Sequence, residues 1–268
     1  MIKSLLCATA LITTVSVAHA EDSIGIPATA TLIDGWQQAD GTYVSAVRIT
    51  LADGWKTYWR APGDAGIPPE FDWNGSQNLA GIAVSWPTPQ VFNQNGMRSI
   101  GYSHQVTLPL TVSAKRADKP VKINLKMEIG VCKDICIPKA LTLKGTLDAS
   151  TATPVPAIAA ALAEQPFSAA EAGARGVTCA LSASEDGLNI TAKLTLPSTG
   201  GKEHVIIEAG RPDVWVSEAK TSRSGNTLTA HAEMVSNGTG AFALDRSAIR
   251  FTVLGTSHAV DLRGCISS

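Results

Sequence analysis

The residues best suited to chemistry are Cys132 and Cys136, in the stretch Gly130-Val131-Cys132-Lys133-Asp134-Ile135-Cys136-Ile137-Pro138. With three residues between them, a local bend of the backbone joins the pair, so a disulfide can close and reopen without disturbing a fold. A cysteine attacks a disulfide only as its thiolate, so local charge and exposure govern its use. Lys133 and Lys139 favour the thiolate, whereas Asp134 opposes it or moves a proton. The plain alternative is a structural disulfide in a hairpin. A metal reading also stands: two thiolates with a thioether or imidazole suit Cu(I), and Met97 and His104 in the preceding loop can supply that ligand. Zinc would need third and fourth ligands at spacings that are absent. The spacing also differs from the thioredoxin Cys-x-x-Cys turn, and no βαβ pattern surrounds it.

The elements that must hold this pair are strands. Val121 to Ile129 alternates apolar and polar residues at period two, the pattern of a half-buried strand, and Leu141, Leu143 and Leu147 mark a second strand leaving. The cysteines are then expected at the tip of a hairpin, within reach of a partner. Similar short runs occur at Ala28–Ile33, Tyr43–Leu51, Ile82–Trp86 and Val106–Val112, broken by Gly, Pro, Asn and Asp. Two long connections, Trp59–Pro69 and Pro87–Tyr102, interrupt them, and long loops on a sandwich are where binding surfaces are built. From Ala149 to Ala174 the composition shifts to Ala, Pro and Thr, with a short helix expected over Pro156–Glu164. Strands resume at Leu188–Leu194, Val205–Glu208, Val214–Val216, Leu228–Ala232 and Ile249–Val253. The fold class is therefore all-β: two β-sandwich domains joined by a short Ala/Pro-rich, partly helical linker.

Residues 1–20 have a basic start, an apolar core and an Ala18-His19-Ala20 exit, the parts of a cleaved secretory signal. The expected organisation is a signal peptide over 1–20, a redox sandwich over 21–149, a linker over 150–174 and a second sandwich over 175–268. No later run approaches the ~18 apolar residues of a membrane span, so an exported, soluble protein is expected. Without Lys3, 21 basic residues face 23 acidic ones, a net of −2. That balance gives no field to attract nucleic acid or an anionic membrane. Of the 5 cysteines, Cys7 leaves with the signal. The remaining four allow three pairings, and their placement in an oxidising compartment favours Cys132 with Cys136 and Cys179 with Cys265. The long bridge reads as a structural staple and the short one as the labile bond.

Other chemistry finds little support. The sequence holds no Gly-x-Ser-x-Gly, His-Glu-x-x-His or phosphate-binding Gly-rich loop. Asp64, Glu70 and Asp72 are better read as loop solvation than as acid catalysts, and Trp55, Tyr58, Trp59, Trp73 and Trp86 as packing.

Gly54 to Gly66, with Trp55, Tyr58, Trp59, Pro62 and Asp64 inside it, then Ser99-Ile100-Gly101-Tyr102, then Gly130 to Pro138, resemble the periplasmic N-terminal region of the DsbD/ScsB thiol-disulfide reductases, nearest the ScsB-like branch associated with copper tolerance. The resemblance is strong over Ile26–Leu147 and weak beyond. It implies immunoglobulin-like sandwiches and a protein-disulfide reductase chemistry that needs no cofactor. Electrons would enter from a membrane-embedded thiol reductase and pass to periplasmic thioredoxin-like proteins. It further implies that Cys136 forms the mixed disulfide, that Cys132 resolves it and that Tyr58 stands beside them, with Tyr102 and Asp134 as support. Asn93–Arg98 falls where the family carries an acidic, aromatic cap loop; it has neither feature, and Met97 is the candidate substitute. The alternative function is a Cu(I)-binding or copper-stress accessory protein using Cys132, Cys136, Met97 and His104.

Overall fold

The computed structural model describes residues 27–94, 96–148, 153–236, 238 and 242–267. The expected signal peptide at 1–20 lies outside the described residues.

The first ten strands are β1 (Ala28–Gln37), β2 (Tyr43–Leu51), β3 (Lys56–Tyr58), β4 (Glu70–Asp72), β5 (Leu79–Val84), β6 (Gln90–Gln94), β7 (Met97–Ser103), β8 (Gln105–Ala114), β9 (Val121–Cys132) and β10 (Cys136–Leu147). They build two facing sheets, β1-β2-β8-β5 and β10-β9-β3-β7-β6, with β4 added to β9. Alternation explains the register. On β9, Val121, Ile123, Leu125, Met127, Ile129 and Val131 are buried, while Lys122, Lys126 and Glu128 face solvent. Their apolar row meets Val47, Ile49, Leu108, Leu110 and Val112 of the opposite sheet. Each such side chain contributes about 1.5–3 kcal/mol by leaving water, so a one-residue slip of β9 would forfeit the whole row.

Helix α1 (Pro156–Ala163) starts with proline at its first turn and seats Ile158 against Val44 and Ala46, on the outer side of β2. Then come β11 (Phe167–Ser168), β12 (Gly176–Ala183), β13 (Gly187–Thr195), β14 (His204–Glu208) and β15 (Val214–Val216). The chain ends with β16 (Lys220–Ser224), β17 (Thr227–Ser236), β18 (Arg250–Leu254), β19 (Ala259–Arg263) and β20 (Ile266–Ser267). These form the sheets β11-β19-β18-β14 and β15-β17-β13-β12-β20, with β16 on β17. The chain is nearly all β, a two-domain immunoglobulin-like fold. The segment expected as a linker is engaged at both ends, since α1 packs on the first domain and β11 pairs with β19 of the second. Cys179 and Cys265 are joined inside the second core.

One expected connection is structured. Within Pro87–Tyr102, β6 and β7 form a hairpin, and β7 inserts beside β3. Its period-two signal is weak because both faces of its middle are buried: Ser99 and Gly101 lie opposite Ile100 and Tyr102, and Arg98 shares the face of Ile100. The domains also touch: Ile206, Leu254 and Ala259 of the second pack against the core of the first.

Candidate redox site

β9 and β10 pair in register from Leu147 opposite Val121 to Cys136 opposite Cys132. The cysteines are thus the first cross-strand pair after the Lys133-Asp134-Ile135 turn, with Cα atoms 4.1 Å apart, and they are joined as a disulfide. Their surroundings differ sharply. Cys132 is 1 % exposed, whereas Cys136 lies open to solvent on the edge strand β10. Pro138 is tolerated there because an edge strand has a row of backbone groups with no ladder partner.

Tyr58 completes the site. The pairing of Thr57 with Val131 puts Tyr58 across from Gly130, on the same face as Cys132. Its hydroxyl lies 2.6 Å from Cys132 Sγ and 3.2 Å from Cys136 Sγ. Gly130 makes this approach possible: a Cβ there would meet the Tyr58 ring at 2.9 Å and Ile67 Cβ at 2.8 Å. Thr57 Oγ1 donates to the Gly130 carbonyl at 2.8 Å and ties the two strands where their ladder ends. Burial pushes the Tyr58 phenol above its usual pKa, so it remains a proton donor. It is therefore placed to donate to whichever sulfur carries charge. Replacing Tyr58 by phenylalanine should raise the Cys132 thiol pKa by about one to two units, since a hydrogen bond to a charged group is worth about 1.5–3 kcal/mol. The pH dependence of alkylation of the reduced protein reads this directly; an unchanged profile would remove Tyr58 from the chemistry.

The remaining candidates separate. His104 and Asp134 line one polar groove of about 490 Å³ together with Cys132, Lys133, Lys56 and Phe92. His104 sits there because the chain crosses between the two sheets at this single residue, with φ of 60° in the left-handed region. Lys56 Nζ lies 5.2 Å from the Phe92 ring centroid, and burial lowers its pKa. Tyr102 is not at the site: alternation turns it into the core, where its hydroxyl donates to the Pro87 carbonyl at 2.8 Å. Met97 also stands apart. It is 59 % exposed and six residues along β7 from Ser103, which shares a register level with Lys56 and Cys132; this is about 20 Å of strand. Of the expected cap stretch, Asn93 lines the groove beside Cys132, whereas Arg98 turns to the second domain, where it pairs with Glu218 and contacts His204. Among the described residues no three His, Cys, Asp or Glu side chains converge as a metal site.

Sequence reasoning missed the residues that cover the disulfide. The Trp59–Pro69 loop lies over Tyr58: the Ala65 carbonyl is 3.4 Å from its hydroxyl, and Ile67 rests on Gly130. Ile67 and Ile135 leave apolar surface exposed, Ile135 as the chain neighbour of Cys136. Only the Pro62-Gly63 and Gly66 turn signals in that loop hinted at a fold-back.

Comparison with known proteins finds a family and a solved fold like this one. Residues 29–147 match the family described as thiol:disulfide interchange protein DsbD, N-terminal. The fold is like that of the N-terminal periplasmic domain of ScsB from Proteus mirabilis, with a TM-score of 0.67 at 21 % identity, over 91 % of this chain and 95 % of that one. No curated protein sequence matches the chain. Residues 29–147, the segment that contains the paired cysteines, Tyr58 and the covering loop, are thus similar to the N-terminal domain of the DsbD thiol:disulfide interchange family.

Proposed function

We propose that this chain is a periplasmic thiol-disulfide exchange protein that passes reducing equivalents through Cys132 and Cys136 to or from thioredoxin-like partners. The carrying observation is the asymmetry of the pair: an exposed Cys136 sulfur bonded to a buried Cys132 sulfur, with one phenol against both. A partner thiolate attacks Cys136 Sγ, and the new S–S bond forms as the Cys132–Cys136 bond breaks. The electron pair passes to Cys132, whose thiolate accepts the Tyr58 O–H. A second partner thiolate then attacks the partner's own sulfur in the mixed disulfide and releases Cys136, so two electrons have entered the pair. In the other direction the Cys136 thiolate attacks a partner disulfide and Cys132 resolves the adduct. Relative reduction potentials set the direction. A membrane-embedded thiol reductase is the electron source on this reading, residues 21–149 are the exchange unit, and residues 150–174 and 175–268 carry the linker and the second sandwich.

The deciding measurement is the reduction potential of the Cys132–Cys136 bond in the mature protein, by equilibration in dithiol buffers and mass-resolved alkylation. A value well above about −300 mV, with Cys179–Cys265 still oxidised, is expected for an exchange bond. A lower value for both pairs would make the hairpin bond structural. The Cu(I) reading retains one supporting observation, His104 in the groove beside Cys132; tight Cu(I) binding by reduced protein that exchanges with no dithiol would favour it.

A further inference from the structure

The Trp59–Pro69 loop has two sides. One is the cover over the disulfide just described, where Gly66 also packs so closely that a Cβ would lie 2.9 Å from the Tyr58 ring. The other side, through Arg60, Pro62 and Asp64, lines a cleft of about 640 Å³ opposite Glu208, Trp215 and Glu218 of the second domain. At the base of this cleft Arg60 donates through Nε and Nη2 to the Glu208 carboxylate at 3.0 and 2.9 Å, and Nη2 lies 3.4 Å from Thr252 Oγ1. The pair is largely withdrawn from water, with side-chain exposures of 14 % and 24 %. Burial lowers the Arg60 pKa and Glu208 opposes the shift. A two-pronged Arg–carboxylate contact fixes orientation as well as distance. Arg60 follows Tyr58 by two residues, and Pro62 is held to β7 by the Ile100 N–H at 2.8 Å. The anchored leg and the covering leg thus belong to one short, closely packed loop.

We propose that Arg60 and Glu208 are positioning residues for the exchange reaction: through this ion pair the second domain holds the Ala65–Ile67 cover down on Tyr58 and Cys132. The inference rests on the exchange reading above and adds to it a role for the second domain. Neutralising either partner breaks the two-pronged contact and leaves the other's charge without its main counterpart, so the loop loses its tie to the second domain and the cover lifts. Cys132, not the already exposed Cys136, then gains access.

The test uses the full mature chain, reduced and pulsed with iodoacetamide, with each cysteine read by mass. In Glu208→Gln the alkylation of Cys132 relative to Cys136 is expected to rise about tenfold, Arg60→Gln should match it, and the double variant should add nothing, because the two act as one contact. Leu194→Ala, a change in the second core away from the contact, supplies a destabilised control in which the ratio stays at the wild-type value. A ratio unmoved in Glu208→Gln, or moved equally in Leu194→Ala, overturns the inference. The oxidised wild-type protein distinguishes the two failures: a bond that no dithiol reduces would sink the exchange reading, and the inference with it. A reducible bond with an unmoved ratio would sink the inference alone.

Discussion

Cys132→Ser is expected to accumulate a covalent mixed disulfide with a thioredoxin-like partner, and Cys136→Ser to accumulate none. Exposure separates the two thiols. Cys136 sits on an edge strand in contact with solvent, so as a lone thiol it can reach a partner disulfide, and without Cys132 nothing within the chain resolves the adduct. Cys132 alone is enclosed by Tyr58 and the loop carrying Ile67, and is 1 % exposed. Thiol-disulfide exchange requires the attacking sulfur, the attacked sulfur and the leaving sulfur to come together, so access matters as much as thiolate fraction. Both variants should lose dithiol turnover completely, because neither can form the internal bond. Non-reducing mass analysis after mixing with an oxidised thioredoxin-like protein separates them. Equal adducts from the two variants would show that burial does not choose the nucleophile.

The second large effect concerns stability. Removing the Cys179–Cys265 bond in a Cys179→Ser/Cys265→Ser variant should cost about 4–5 kcal/mol on the loop-entropy account, given a separation of 86 residues. The bond joins β12 to the segment entering β20, next to the last strand pairing of the second sheet, and both sulfurs lie in the core. Arg246 Nη1 donates to the Cys179 carbonyl at 2.6 Å, so loosening this corner also disturbs the 246–249 segment that leads into β18. Calorimetry should show the second domain's transition falling by on the order of 16–40 °C at roughly 4–8 °C per kcal/mol for a domain of this size. Reduction of the hairpin bond alone should move neither transition by comparable amounts, since its loop is short. A fall of less than a few degrees in the double variant would mean that the packed core, not the bridge, holds the second domain.

The site was partly legible in the sequence. The Cys132/Cys136 pair, the two strands that carry it and the hairpin between them follow from local pattern: period-two alternation fixes which residues face the core, and a three-residue turn leaves the cysteines opposite each other. Tyr58 was reached by resemblance to a family rather than by pattern, because β3 is only three residues long and shows no period of its own. Met97 shows the opposite limit. It precedes the hairpin in the chain and has suitable chemistry, yet β7 runs away from the sulfurs and carries it toward the second domain.

What the sequence by itself determined is the all-β character, the paired cysteines and their expected partners in bonding, since each depends on neighbours a few residues apart or on composition. Tertiary structure alone decided that Cys132 is enclosed and Cys136 open, that Gly130 leaves room for the Tyr58 ring, that the Trp59–Pro69 loop folds over Tyr58, and that Arg60 meets Glu208. The physical reason is separation: the contacts across the fold join residues 63 to 148 positions apart, as Ile67 is from Gly130 and Arg60 from Glu208. No local period or propensity encodes such a meeting; it exists only once the strands have paired and the two sandwiches have closed on each other.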